Sequence, residues 1–142
     1  MTAQLLLDNS AFARLKHPAL AAARAREVVR GIRTRTFGVC LPFLLEAGFS
    51  ARNSADYADT LGALLVLPRM PVDAQAEQRA LDAQADLAAA GKHRVSPVDL
   101  IIAATADRHQ VGVLHYDSDY DILSEHTDLR FESVWLASQG SL

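Results

Sequence analysis

Asp8, Glu46, Asp99 and Asp117 are the residues whose types and settings could do chemistry in this chain. Asp8 directly follows the apolar run 4–7. Glu46 sits among Leu44, Leu45, Ala47 and Gly48. Asp99 opens a nearly all-apolar segment, and Asp117 follows the apolar run 111–115. Carboxylates gathered in one place repel one another and lose hydration. They are tolerated when a cation neutralises them or when one keeps a proton. Oxygen donors with few imidazoles favour Mg²⁺ or Mn²⁺, and such an ion can activate water and stabilise charge on a phosphoryl group. Each acid alone also has a structural explanation. Asp8 could cap the helix after it, Asp99 fits a capping box, Glu46 could be an exposed helical residue, and the run from Asp117 to Asp121 could be an acidic turn. Capping and metal binding are compatible, because a carboxylate has two oxygens.

The elements that must position these acids follow from local patterns. Residues 4–7 form an apolar strand. Residues 9–15 begin a helix, with Asn9 or Ser10 as cap. Residues 19–32 are rich in Ala and Arg and read as a helix, and 36–40 read as a second strand. Pro42 suits the first turn of a helix running to about residue 51. Ser54 caps the next helix, 55–64, and residues 65–67 read as a strand or extended edge. Asp73 caps a long helix that Gly91 stops. Ser96-Pro97-Val98-Asp99 is a helix start, with Ser96 as cap. The segment 100–109 then continues as a buried helix. Residues 111–115 form a strand, 117–123 turn into a short helix, and 131–136 form a last strand. Strands that are short, apolar and separated by helices predict an α/β fold with a mainly parallel central sheet and helices on both faces. In such sheets function gathers beyond the C-terminal ends of the strands, and that is where the four acids fall.

The 142 residues suggest one domain spanning the chain, with ordinary globular composition at 50% hydrophobic and 22% charged. No stretch approaches the roughly 20 apolar residues of a membrane span, and no signal peptide is recognisable, so a cytoplasmic protein without a membrane partner is expected. Cys40 is the single cysteine and lies in an apolar run, which suggests a buried structural thiol. Net charge is −3, but its distribution is uneven. Arg14, Lys16, Arg24, Arg26, Arg30, Arg33 and Arg35 supply half of the 14 cations, with Glu27 as the single acid among them. Such a cluster is either a solvated helix face or a phosphate-contacting patch. Its arginines are the candidates for holding a phosphate backbone, because an acidic cluster repels one.

LLLDNSAF, LLEAGFSAR and SPVDLIIAATADRHQVGVLHYDSDYDIL resemble the acidic motifs of PIN-domain proteins, in the same order and across nearly the whole chain. The chain's small size looks most like VapC-type toxins of bacterial toxin–antitoxin pairs. The resemblance implies a PIN-like three-layer α/β/α sandwich. It assigns Asp8, Glu46, Asp99 and Asp117 as metal-holding acids, Asp119 as a further acid close to the site, and Ser10 as the hydroxyl that steadies the first acid. Two positions depart from the commonest form. His115 stands where Thr is frequent and Tyr120 where Phe is frequent. His115 either contacts substrate or is a satisfied edge residue.

The resemblance also implies a Mg²⁺- or Mn²⁺-dependent endoribonuclease that cleaves structured RNA such as tRNA or ribosomal RNA. A homodimer and a cognate VapB-type antitoxin that obstructs the active site are implied with it. Leu61, Leu64 and Leu65 share a helical face that is either core or an antitoxin or dimer surface. Two other readings stand beside this one. One is a phosphohydrolase with Asp8 as nucleophile, although haloacid-dehalogenase-type enzymes usually carry a second Asp where this chain has Ser10. The other is a non-catalytic RNA-binding or scaffold module on the same fold.

Overall fold

The computed structural model describes residues 3–92 and 94–142. In chain order the elements are β1 (Leu5–Leu7), α1 (Asn9–Phe12), α2 (Ala22–Arg33), β2 (Phe37–Gly38), α3 (Leu41–Phe49), α4 (Ser54–Leu64), α5 (Ala74–Ala89), α6 (Pro97–His109), β3 (Gly112–His115), α7 (Asp119–His126) and β4 (Ser133–Trp135). Among the described residues the strands make one sheet in the order β2-β1-β3-β4, and every pairing is parallel. Leu6, Leu7, Val113 and Leu114 are buried on it, as wholly apolar strands covered on both faces should be.

The strand order reverses direction once. The chain steps outward from β1 to β2, then returns past β1 to reach β3. With right-handed crossovers, that reversal puts α2 on one face of the sheet and α6 and α7 on the other. It also opens a crevice between the C-terminal ends of β1 and β3, where ligands of such sheets bind. The pairing of Leu7 with Leu114 sets those two ends level.

Helix α6 forms the centre of the second layer. Leu100, Ile102, Ala103, Ala104 and Ala106 are all buried, and α6 packs on α5, α3, α7 and the strands β1 and β3. Its Ala-rich face lets neighbours approach closely, while Pro97 at its start needs no backbone donor. Gly91, at φ 72°, ends α5.

Some local expectations are corrected. The cap of α1 is Asp8, whose side chain accepts from the Ser10 N–H, rather than Asn9 or Ser10. The cap of α4 is Asn53, not Ser54. Ser96 precedes α6 but makes no side-chain cap bond. Residues 65–67 are not a strand. Leu65 is the C-cap of α4, and the Leu67 N–H donates to Leu64 O. The edge pairing falls later, after Pro68, where Arg69 bridges Val39. The α-helical hydrogen-bond pattern carries through Leu65 and leaves this apolar run as a turn, with Leu67 buried and Leu65 and Val66 exposed.

Candidate active site

Asp8 is 3% exposed, and its geometry follows from where β1 stops. Its N–H donates to Leu114 O across the sheet, and the chain then turns into α1. Oδ2 accepts from the Ser10 N–H at 3.0 Å and from the Ser10 hydroxyl. Oδ1 accepts from the Tyr120 hydroxyl at 2.7 Å. The capping reading of Asp8 therefore holds alongside its place in the cluster. Ser10 has a second task, because its Oγ accepts from the Tyr116 N–H at 2.8 Å and ties α1 to the chain leaving β3.

Asp99 enters from the first turn of α6 and is 6% exposed. Oδ1 lies 3.3 Å from the Tyr120 hydroxyl. Oδ2 is buried and has no hydrogen-bond partner. The capping-box reading of Asp99 is thereby excluded, since no carboxyl oxygen reaches back to the helix start. Burial, then the charges of Asp8, Asp117 and Asp119, push the Asp99 carboxyl up to about 8. Asp117 follows β3 and accepts from the Asp119 N–H at 2.9 Å. Asp119 accepts from the Ser96 N–H at 3.3 Å, so α7 and the start of α6 are joined there. Ligand oxygens of Asp99, Asp117 and Asp119 lie within 4.8 Å of one another.

Glu46 stands at the rim. It is half-buried on α3 and lines a groove with Asn9, Leu45, Phe49, Val98 and Ile101. Burial and the negative charge of Asp8 raise its carboxyl above the usual range. Cys40, just before α3, is fully buried, and burial pushes its thiol up to about 12. It is a protonated, inert core residue.

A polar network behind the cluster was not anticipated. The Asp117 N–H donates to His115 Nδ1 at 3.1 Å, so the ring proton resides on Nε2, which faces Ser133 Oγ at 2.7 Å. The Ser133 hydroxyl and the Trp135 indole N–H both donate to Asp121, at 2.8 and 3.0 Å. His115 is fully buried, and burial holds its imidazole below the usual range, hence neutral. It is a satisfied interior residue, away from any substrate. The sequence signal was the unusual pair His115 and Tyr120, but Asp121 and Ser133 gave none.

The sequence matches the PIN domain model over residues 5–125. The chain belongs to the PIN-domain family. It is 32% identical to ribonuclease VapC51 of Mycobacterium tuberculosis over 142 residues, covering 100% of this chain and 99% of that one. Ribonuclease VapC18 of the same organism is 33% identical, with 96% and 97% covered. The PIN fold is also seen in the crystal structure of DNA-bound VapBC from Salmonella typhimurium, with a TM-score of 0.74 at 21% identity over 95% of this chain and 99% of that one. FitAcB from Neisseria gonorrhoeae gives 0.65 at 15% identity, with 95% and 96% covered.

The basic residues of this PIN domain divide into distinct sets. Arg14 donates to Ser10 O at 2.8 Å and lies 4.9 Å over the Tyr116 ring, beside the acids. Arg24 is committed to structure. Its guanidinium donates to Leu136 O at 2.9 Å and Trp135 O at 3.2 Å and pairs with Glu27, so it ties α2 to the end of β4. Arg26, Arg30 and Arg33 are exposed and recur at helical spacing on one face. That face recedes from the acids. Arg24 contacts the C-terminal end of the sheet, whereas Arg35 lies just before β2, at the opposite end. Among the described residues no helix is long and apolar enough to cross a membrane.

Proposed function

We propose that this chain is a Mg²⁺- or Mn²⁺-dependent endoribonuclease and the toxin of a VapBC-type toxin–antitoxin pair. The observation that carries the reading is the convergence of Asp99, Asp117 and Asp119 oxygens within 4.8 Å, in a chain related along its full length to proteins named VapC ribonucleases. The donor set fits a hard cation. It is all carboxylate oxygen, and the buried Asp99 Oδ2 lacks any hydrogen-bond donor. Asp99, Asp117 and Asp119, together with Asp8 and Glu46, would hold the ion, directly or through water. When bound, such an ion makes water more acidic and stabilises charge on a phosphoryl oxygen.

The chain's own side chains supply orientation and a proton acceptor. Ser10 and Tyr120 fix both oxygens of Asp8. We assign the proton from the attacking water to Glu46, a half-buried carboxylate that lines the groove beside α3 and feels the charge of Asp8. The water oxygen bonds to phosphorus and the P–O3′ bond breaks. The leaving oxygen takes up a proton, so the products are a 5′-phosphate and a 3′-hydroxyl. An Asp8 nucleophile is disfavoured, because the carboxylate is buried and both its oxygens are engaged.

Structured RNA, such as tRNA or ribosomal RNA in the cytoplasm, suits the charge layout. Arg14 lies beside the acids, while Arg26, Arg30, Arg33 and Arg35 could follow a longer backbone along α2. A homodimer and a VapB-type antitoxin are the expected partners, supported by the exposed apolar side of α3. There Leu41, Leu45 and Phe49 line two grooves of about 420 Å³ each, one reaching Glu46. Leu64 belongs to the core, Leu61 is buried but lines the second groove, and Leu65 is the exposed member of the expected face.

Sequencing 5′-phosphate RNA ends after brief induction tests the activity. Ends that appear with the wild-type chain and vanish with Asp8→Ala support it. Identical ends from both sink it.

A further inference from the structure

We propose that Tyr120 is the positioning residue of the carboxylate cluster. Its hydroxyl ties Asp8, at the end of β1, to Asp99, in the first turn of α6, and so sets the geometry that receives a divalent cation. The inference rests on the metal-dependent reading above.

Asp8 and Asp99 come from elements far apart in the chain, and their like charges push them apart. Among the described residues, the Tyr120 hydroxyl is the donor that contacts both, at 2.7 Å to Asp8 Oδ1 and 3.3 Å to Asp99 Oδ1. A phenol has one proton, so the nearer Asp8 oxygen receives it and the Asp99 contact is longer. Tyr120 is fully buried, which leaves no water to replace this donor readily. The ring has little freedom to re-aim. It stacks on His115 at 4.6 Å and 29°, and meets Phe131 edge-on at 6.3 Å. His115 is itself held by Ser133 and by the Asp117 N–H. One network therefore aims the hydroxyl and orients the backbone of Asp117. It leaves Asp99 Oδ2 as the oxygen without a donor.

Tyr120→Phe keeps the ring and removes one oxygen. The variant is expected to bind Mn²⁺ roughly 10–100-fold more weakly by titration calorimetry, the usual loss when a partner of a metal ligand is deleted. In an Asp8→Asn background the same substitution should change affinity little, because the hydroxyl acts through Asp8. A purely structural role would instead lower the melting temperature equally in both backgrounds and leave this coupling at zero.

A measurement on the intact wild-type protein stands independently of whether the variant folds. Proton NMR should show one exchange-protected hydroxyl, assigned by its contacts to the Tyr120 ring, that shifts when Mg²⁺ is added. Absence of that proton overturns the inference. Equal or tighter Mn²⁺ binding by Tyr120→Phe also overturns it, while the metal-dependent reading survives. No Mn²⁺ binding by the wild-type chain overturns both.

Discussion

Asp99 has one oxygen near the Tyr120 hydroxyl and the other buried without a donor, so its ionisation governs how the cluster behaves without a cation. Its carboxyl is pushed up to about 8 from an ordinary value near 3.8. Between those values the folded chain keeps a proton that the unfolded chain releases. Stability of the metal-free protein should therefore fall as pH rises from about 4 to about 8, and be fully present below that window. Glu46, also raised, acts in the same sense. Urea midpoints across that range, in chelator, should show the decline in the wild type and a flatter profile in Asp99→Asn. Cation affinity should run the other way and strengthen with pH, since the proton and the ion compete for the same oxygens. Asp99→Asn should also cost more cleavage than the roughly 10–100-fold typical of losing a ligand's hydrogen-bond partner. A variant that cuts RNA at the wild-type rate would remove Asp99 from the mechanism.

At the scale of elements, β3 and α2 carry the informative tests. Gly112 opens β3 where a side chain has no room, because an added Cβ would lie 2.7 Å from Leu5 and 2.8 Å from Glu132 O. Gly112→Ala should cost about 1–3 kcal/mol as an overpacking change, read from the urea midpoint. Cleavage by the folded fraction should also fall, because β3 delivers Asp117. On α2 the arginines should separate by role. Arg24→Ala should lower the melting temperature by releasing the ends of α2 and β4 from each other. Replacing Arg26, Arg30 and Arg33 together with Gln should leave stability nearly unchanged. It should weaken RNA binding and reduce the salt dependence by about 0.7–0.9 per lost phosphate contact. An unchanged salt slope would show that this face is merely solvated.

For the whole molecule, the apolar side of α3 has the largest consequence. Phe49 is 91% exposed and Leu45 63%, on the helix that also carries Glu46. Side chains of this size are each worth about 1.5–3 kcal/mol when buried, so a partner that covers them gains affinity and sits beside the acids. Leu45→Glu with Phe49→Glu should leave metal binding intact while weakening antitoxin binding by at least about tenfold on that scale. Co-expression with the cognate antitoxin would then fail to restore growth. Normal neutralisation of the double variant would move the antitoxin to another face.

Much of the site is legible in the sequence because its acids mark element boundaries. Asp8, Asp99 and Asp117 each adjoin a strongly apolar segment, and alternating strands and helices send such junctions to one edge of a parallel sheet. Sequence alone thus determined the α/β class, the helices from α2 to α6 within a few residues, and which acids stand at the element boundaries. It misjudged residues 65–67, where an apolar run fits a turn as readily as a strand. It also could not separate Arg24 from its neighbours on α2, because carbonyl oxygens at the end of β4 claim that guanidinium. Tertiary structure alone decided which acids share a space, that Asp99 Oδ2 has no donor, and that Tyr120 stands between Asp8 and Asp99. The physical reason is range. Propensity and periodicity act over a few residues, whereas burial, charge repulsion and hydrogen-bond pairing depend on groups that meet only after the chain has folded.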